Sequence, residues 1–564
     1  MTMVELAQAL WLLVAALGLA LSVQYAGLPV LGQGAFVAVG GVGTAMLGPG
    51  GAGWPLGVAA LASILLAAAL GHLVALGASR LEGAYLALAT WALAWLVYRT
   101  MLAFPSTFGG AQGLVRRSPA HVVSPSLGIE LTLTPTVHVV LAAATCVIVI
   151  LAGIRVERGP AGLDLAALRE GPVLAASLGV PVAARRRAVL TATAALGALS
   201  GAGTVVLLGL VAPADVSPLL SLQLFVAVLV GGTAWWGPVV GVALLTVLPH
   251  VASALPGDTQ RAGGVLTAGL LILVLVIRHV LARLRERAPD AAAERDIPPP
   301  DVAHPVSDWH PVALRATGIT ASYGALRALD GVGLEIRSGQ VHALIGPNGS
   351  GKSTLIRVLA GELPPDLGQV DVVGRPHVGE GPQARVLAGV VATPQRTVML
   401  ERTTPERQVA VGVRGGSRPR HAVLRHALAT PSSRLAAQRS AAVVANALRE
   451  TRLTPVASFA PAELTVGEQR LLQIARALAT GARVLLLDEP AAGMSADERA
   501  RLRHVLRRLA GNGIAVLLVE HDMRLVNAVA DRVTVLDAGQ VIATGRPKDV
   551  QSDPAVQRAY LGVS

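Results

Sequence analysis

Apolar positions run on almost without interruption through the first 285 residues, whereas from residue 312 onward they come in short blocks separated by charged turns. Between Glu5 and Arg80 no Asp, Glu, Lys or Arg occurs for 74 residues. One bilayer crossing takes about 20 apolar residues, so this stretch predicts three crossings joined by tight turns. Further apolar blocks at Leu81–Phe104, Val137–Ile154, Val189–Val211, Leu219–Ala254 and Gly263–Ala282 predict more spans. Leu219–Ala254 is long enough for two, broken at Gly231-Gly232 and Gly237-Pro238. The expected total is about nine spans, with Leu28–Leu47 and Leu219–Ala254 setting its margin. No basic leader precedes the first apolar run, which reads as a span rather than a cleaved signal peptide. Between spans, Leu163–Leu178 reads as a helix broken near Pro172.

Residues 286–311 are rich in Ala, Asp, Arg and Pro, with Pro298-Pro299-Pro300 stiffening them into a spacer. Beyond it, apolar strand-length runs alternate with helical patterns and glycine turns, as in a mainly parallel α/β sheet. The expected organisation is a polytopic α-helical membrane domain at 1–285, a linker at 286–311 and an α/β P-loop NTPase domain at 312–564.

Composition supports this division. Of 564 residues, 53% are hydrophobic and 15% charged, and the mean hydropathy is +0.58. These values exclude intrinsic disorder and argue against an ordinary soluble enzyme. A single cysteine, Cys146, excludes a disulfide framework and a multi-cysteine metal site. The net charge of +12 would suit nucleic acid, but its distribution points elsewhere. Residues 1–285 hold 14 Arg, no Lys and 8 acidic residues, and the arginines gather between spans. Arg155, Arg158, Arg169, Arg185, Arg186 and Arg187 lie in one loop, and Arg283, Arg285 and Arg287 follow the last span. Only Arg116, Arg117 and Arg261 mark the alternate loops. The positive-inside rule places the 155–187 loop and everything after Arg283 in the cytoplasm. The charge marks a membrane edge, and nucleic acid is not an expected partner.

Within the spans, Gly40-Gly41-Val42-Gly43 and Ala67-Ala68-Ala69 permit close helix approach. Gln33, His72, Thr191, Thr193 and Gln223 are the polar groups that could touch a solute or serve packing.

The strongest chemical signal is Gly346-Pro347-Asn348-Gly349-Ser350-Gly351-Lys352-Ser353-Thr354. It follows the apolar run Val341–Ile345 and opens a helical stretch, the context a phosphate-binding loop requires. Its glycines let backbone N–H groups curl around phosphate oxygens at a helix N-terminus. Lys352 is suited to β- and γ-phosphates and the Ser353 hydroxyl to Mg²⁺. The chain uses Lys twice among 47 cationic residues, and a compact ammonium fits between phosphates where a planar guanidinium would not. A second apolar run, Val484–Leu487, ends in Asp488 and Glu489. The first carboxylate is suited to Mg²⁺, and the second can orient or deprotonate water. A third run, Ile514–Val519, ends at Glu520-His521, where a γ-phosphate sensor is needed. Gln395 and Tyr323 are weaker candidates, the Tyr323 ring for stacking on adenine.

These residues, in this order, resemble the ATP-binding domain of ABC transporters. Leu464-Thr465-Val466-Gly467-Glu468 resembles that superfamily's LSGGQ signature, with Val and Glu in place of the first glycine and the glutamine. Ala491-Ala492-Gly493-Met494-Ser495 and the ending Asp553-Pro554…Ala559-Tyr560-Leu561-Gly562 are similar to the branched-chain amino acid importer subfamily. So is the membrane half, on four stretches: Gly27–Phe36, Leu81–Thr90, Gly109–Leu114 and Gly231–Pro238. Ala175-Ala176 with Gly179 resembles the importers' coupling loop, although Glu170 lies farther upstream than the usual acidic residue.

The resemblance implies a permease fused to an ATPase, with ATP and Mg²⁺ as cofactors. It implies that Tyr323 stacks the base, that Gly346–Thr354 hold phosphates, and that Ser353, Gln395 and Asp488 serve Mg²⁺. Glu489 would be the catalytic carboxylate, His521 the switch, and Thr465 and Gly467 the cap on ATP bound by a partner domain. One P-loop and one signature segment make half a transporter. A second half, identical or related, and an extracytoplasmic solute-binding protein are therefore implied partners, with membrane lipid around the spans. Import of branched-chain or other amino acids across the cytoplasmic membrane is the leading expectation. Export of a hydrophobic compound and a low-turnover nucleotide-sensing scaffold remain alternatives.

Overall fold

The computed structural model describes residues 2–77, 83–115, 121–124, 129–232, 234–253, 269, 311–377, 380–400, 403–413 and 431–561. Outside them lie the expected last span apart from Gly269, linker residues 286–310, and Arg80, Arg116, Arg117, Arg261, Arg283, Arg285 and Arg287. Leu81, Glu82, Thr233 and Gly562 of the resemblance lie outside them too. The chain divides into two compact units, one within Met1–Arg169 and Ala183–Pro289, the other within Glu170–Val182 and Asp290–Ser564.

In the first unit, five helices are long and apolar enough to cross a membrane: Met3–Tyr25, Leu56–Gly77, Ala84–Ala103, Pro135–Glu157 and Val182–Leu208. Three apolar helices are shorter, Gln33–Leu47, Pro218–Gly231 and Gly237–Val247. The uncharged stretch after Glu5 thus forms three helices, and the long block after Leu219 is divided at its glycines. Eight apolar helices stand among the described residues where about nine spans were expected, and three of the eight, all in the two blocks that set the margin of that count, fall short of full length. Glu5 itself serves the start of the first helix. Its Oε2 accepts the Thr2 N–H at 2.7 Å, and Thr2 Oγ1 accepts the Glu5 N–H at 3.3 Å.

Small residues let the helices of this unit touch. A Cβ on Gly40 would strike the Ala198 backbone, and one on Gly43 would lie 2.6 Å from Ser63 Oγ. Several buried polar groups bridge these crossings. Gln33 Nε2 donates to Ala15 O at 3.0 Å and to Thr193 O at 3.3 Å, while Thr193 Oγ1 donates to Gly18 O at 2.9 Å. Ser221 Oγ accepts the Gly34 N–H at 2.8 Å. Gln33 and Thr193 are therefore helix-bridging groups, whereas His72 and Thr191 form an exposed pair at 3.4 Å.

In the second unit, six strands form one sheet in the order Val390–Thr393, Val484–Asp488, Ala515–Val519, Val341–Ile345, Arg532–Asp537, Gln540–Gly545. The first five run parallel and the last is antiparallel. Apolar runs in these strands reflect burial on both faces. Along Val484–Asp488, Leu485 and Leu487 join a core with the helices Val466–Ala479 and Ala496–Gly511. Val484 and Leu486 point the other way, to Leu355, Val358 and Leu359 of the helix Lys352–Leu359. A four-stranded antiparallel sheet, ordered Leu326–Arg337, Val312–Tyr323, Leu367–Val372, Arg375–Pro376, closes that second core.

The expected helix break near Pro172 is present, between Pro160–Glu170 and Pro172–Ser177, at Gly171. Leu174, Ala175 and Ser177 of the short helix are buried, and it packs in the second unit against the helix Pro382–Leu387 and the strand Val390–Thr393.

Candidate nucleotide site

Parallel strands bring their carboxyl ends to one edge of the sheet, and the polar residues collect there. Val341–Ile345 runs into the glycine loop, Val484–Asp488 into Glu489, and Ala515–Val519 into Glu520 and His521. The register sets Asp488 opposite Val519, and Val519 opposite Leu344. Loop, carboxylates and imidazole are therefore neighbours, in the crevice where open parallel sheets bind ligands.

The loop depends on its glycines. Gly349 and Gly351 have φ of 83° and 103°. A Cβ on Gly346 would strike Leu536 O and lie 2.7 Å from Ser350 Oγ. Lys352 begins the following helix and turns back, donating from Nζ to Gly346 O and Pro347 O at 2.8 Å each. Burial lowers its pKa, and the nearby charges of Glu489 and Asp488 oppose that shift. Asn348 and Ser353 are exposed, Pro347 and Thr354 half-buried. Ser350 is buried, and its Oγ has no partner among the described residues.

Asp488 is buried, and its Oδ1 lacks a partner among the described residues. Burial raises its pKa and the charge of Glu489 adds to this, while Lys352, His521 and Arg470 pull it down. A buried carboxylate oxygen short of a partner suits a cation. The Ser353 hydroxyl and the Gln395 amide oxygen are hard donors of the same kind, so these three residues would suit Mg²⁺.

Glu489 is held on both oxygens. His521 Nε2 lies 2.8 Å from Oε1, and Gln395 Nε2 donates to Oε2 at 3.3 Å. Its backbone has φ of 47°, a left-handed conformation that costs a non-glycine residue energy and clusters at functional sites. Glu489 N donates to Val519 O at 3.0 Å, tying the turn to the neighbouring strand.

Gln395, Glu489 and His521 thus share one hydrogen-bonded group, with Asp488 and Lys352 coupled to it by charge. Tyr323, Thr465 and Gly467 share no described hydrogen bond with it. Tyr323 ends its strand, 42% exposed, and its hydroxyl accepts from Arg357 Nη1 at 2.9 Å. Thr465 caps the helix Val466–Ala479. Its Oγ1 accepts the Glu468 N–H at 3.3 Å, and Glu468 Oε2 accepts the Thr465 N–H at 2.9 Å. Glu468, one of the two residues that depart from the signature, is therefore the acidic half of a capping box.

Two neighbours of the site had no role assigned from the sequence. Glu520 is buried and accepts the Ala491 N–H at 2.8 Å, fixing the turn after Glu489; burial raises its pKa. Glu498 Oε1 accepts the Gly467 N–H at 3.0 Å. The Ser495–Glu498 capping box was the available signal for the second.

Residues 329–492 match the family described as ABC transporter, and residues 540–564 match the branched-chain amino acid ATP-binding cassette transporters. Residues 3–275 match the permease component of the branched-chain amino acid transport system. The chain belongs to the branched-chain amino acid ABC transporters. It carries both the permease and the ATP-binding part, and it is an ATPase coupled to transmembrane transport. The high-affinity branched-chain amino acid transport ATP-binding protein BraF of Pseudomonas aeruginosa is 34% identical over 253 residues, 44% of this chain and 97% of that protein. LivG of Escherichia coli, named likewise, is 33% identical over 250 residues, again 44% and 97%. A solved nucleotide-free ATP-binding cassette from an ABC transporter is 30% identical, with a TM-score of 0.38, covering 45% of this transporter chain and 100% of its own.

Proposed function

We propose that the chain is half of an ATP-driven importer of branched-chain or similar amino acids, fed by a separate extracytoplasmic solute-binding protein. The observation that carries this reading is one chain in which a permease-type region precedes an ATP-binding region of branched-chain type. The arginines of the 155–187 loop support a cytoplasmic membrane location with the ATPase unit inside. One P-loop and one Thr465–Gly467 segment per chain support pairing with a second half, identical or related.

In this reading the backbone N–H groups of Gly346–Thr354 bind the phosphates, and Lys352 Nζ leaves the Gly346 and Pro347 carbonyls for β- and γ-oxygens. Tyr323 stacks on the base. Ser353, Gln395 and Asp488 would hold Mg²⁺, which neutralises phosphate charge when bound. Glu489 orients the attacking water and takes its proton, while His521 steadies the carboxylate through Oε1. Thr465 and Gly467 face nucleotide held by the other half, and the Leu163–Leu178 segment carries closure toward the spans.

Proteoliposomes containing the full chain test the proposal. Leucine accumulation that needs both ATP and the binding protein supports import. Transport only outward, independent of any binding protein, overturns it. Absence of steady-state turnover would favour the scaffold alternative.

A further inference from the structure

The segment 394–400 carries Gln395 yet has no regular secondary structure of its own, so its carbonyls need donors from elsewhere. Three come from one helix. Arg470 Nη1 donates to Gln395 O at 2.5 Å, Gln473 Nε2 to Arg396 O at 3.1 Å, and Arg476 Nη2 to Val398 O at 2.8 Å. Residues 470, 473 and 476 are three apart, which sets them along one side of the helix Val466–Ala479. Gln408 holds the far end, accepting the Leu400 N–H at 3.3 Å and donating to Thr403 O at 3.1 Å.

The rungs are not surface decoration. Gln473 and Arg476 are buried, Arg476 at 1% exposure. Placing a guanidinium there is costly unless it does a specific task, and its one described task is to hold Val398 O. Arg470 has a further relation to the site, since its charge interacts with Glu520, Glu489 and Asp488. The same helix begins at Thr465, so its N-terminus is the signature segment and its side carries the segment bearing Gln395.

We propose that Arg470, Gln473 and Arg476 are positioning residues for ATP hydrolysis: they make the signature helix set where Gln395 stands relative to Glu489. The inference rests on reading Gln395 as a residue of the nucleotide site.

Gln473 is the clean probe, since it is neutral and changing it leaves the field at Glu489 intact. In the full chain reconstituted in nanodiscs, Gln473→Ala and Gln473→Met should each lower kcat about tenfold. KM for ATP should stay within about twofold, with more Mg²⁺ needed for half-maximal rate. Neither substitution should lower kcat further in a Gln395→Ala background, since both act through the same residue. Wild-type kcat in Gln473→Met, which keeps the packing and removes the donor, would overturn the proposal. So would losses that multiply in the double variant. If Gln395→Ala alone leaves kcat unchanged, the reading of Gln395 falls and the inference falls with it. Arg470→Lys, which keeps a charged donor, should recover part of the turnover lost in Arg470→Ala. Equal loss in both would count against the hydrogen bond.

Discussion

The carboxylate of Glu498 holds the backbone N–H of Gly467 at 3.0 Å, so the start of the signature helix is tied to the start of the helix Ala496–Gly511. A larger residue here would displace the Glu498 side chain. A Cβ on Gly467 would lie 2.7 Å from the Glu498 carboxylate. The Ser495 backbone N–H, the Thr465 side chain and then the Gly467 N–H hold the Glu498 pKa down to about 2, against an ordinary 4.5. A depressed carboxylate stabilises the fold above its unfolded pKa, and that contribution is lost as pH falls through the folded value. Glu498→Gln should therefore melt below wild type at neutral pH. The gap should close as pH drops from about 4.5 toward about 2, as differential scanning fluorimetry of the detergent-solubilised chain can read. A gap that widens on acidification would contradict the assignment.

Glu489→Gln keeps the shape at the end of its strand but removes the base. With Gln395 and His521 both on this carboxylate, the variant should lose turnover by about 10²–10⁴-fold while still binding ATP. His521→Ala should cost less, because Glu489 keeps its charge and its Gln395 contact. Radioactive nucleotide binding and phosphate release, measured on the same preparation, separate the two quantities. Comparable turnover in Glu489→Gln and wild type would exclude Glu489 as the base.

Much of this site was legible because apolar strands that end in polar residues announce themselves. Val341–Ile345, Val484–Leu487 and Ile514–Val519 were visible as runs, and parallel pairing then forces their ends together. What was not legible depends on which elements become neighbours. Arg470, Gln473 and Arg476 read as ordinary polar residues of an amphipathic helix until the irregular segment 394–400 is laid against them. Span length was less legible, for a different reason. Hydropathy reports that Gln33–Leu47 is apolar, but its 15-residue length is set by Gly32 and Gly48 at its ends. Hydropathy likewise left open whether Gln33 met a solute or served packing; its Nε2 bridges two other helices, while its buried Oε1 has no partner among the described residues.

Lys352 offers a test of ammonium against guanidinium. Its Nζ reaches two loop carbonyls at 2.8 Å, so the pocket is sized for a compact cation. Lys352→Arg keeps the charge but brings a planar fork into that space. Both Lys352→Arg and Lys352→Ala should weaken ATP binding by about tenfold or more, the loss of a charge-assisted contact worth about 1.5–3 kcal/mol. Equilibrium binding of a fluorescent ATP analogue reads this directly. Full affinity in Lys352→Arg would show that charge alone suffices.

Gly40 tests the permease unit independently of the nucleotide site. Its helix, Gln33–Leu47, lies so close to Val182–Leu208 that a Cβ at Gly40 meets the Ala198 carbonyl and Cα. Both partners are backbone atoms, which cannot swing aside as a flexible side chain would, so the helices must separate. Separation also loosens the neighbouring contact, where Gly201 sits against the Val37 carbonyl. Overpacking of this kind costs about 1–3 kcal/mol, and Gly40→Val should cost more than Gly40→Ala because its branches add volume at the same contact. The expected result is a lower melting temperature and reduced leucine uptake, in the order Val below Ala below wild type. ATP affinity should stay unchanged, since no residue of the nucleotide site is touched. Wild-type stability in Gly40→Val would refute the close crossing of these two helices.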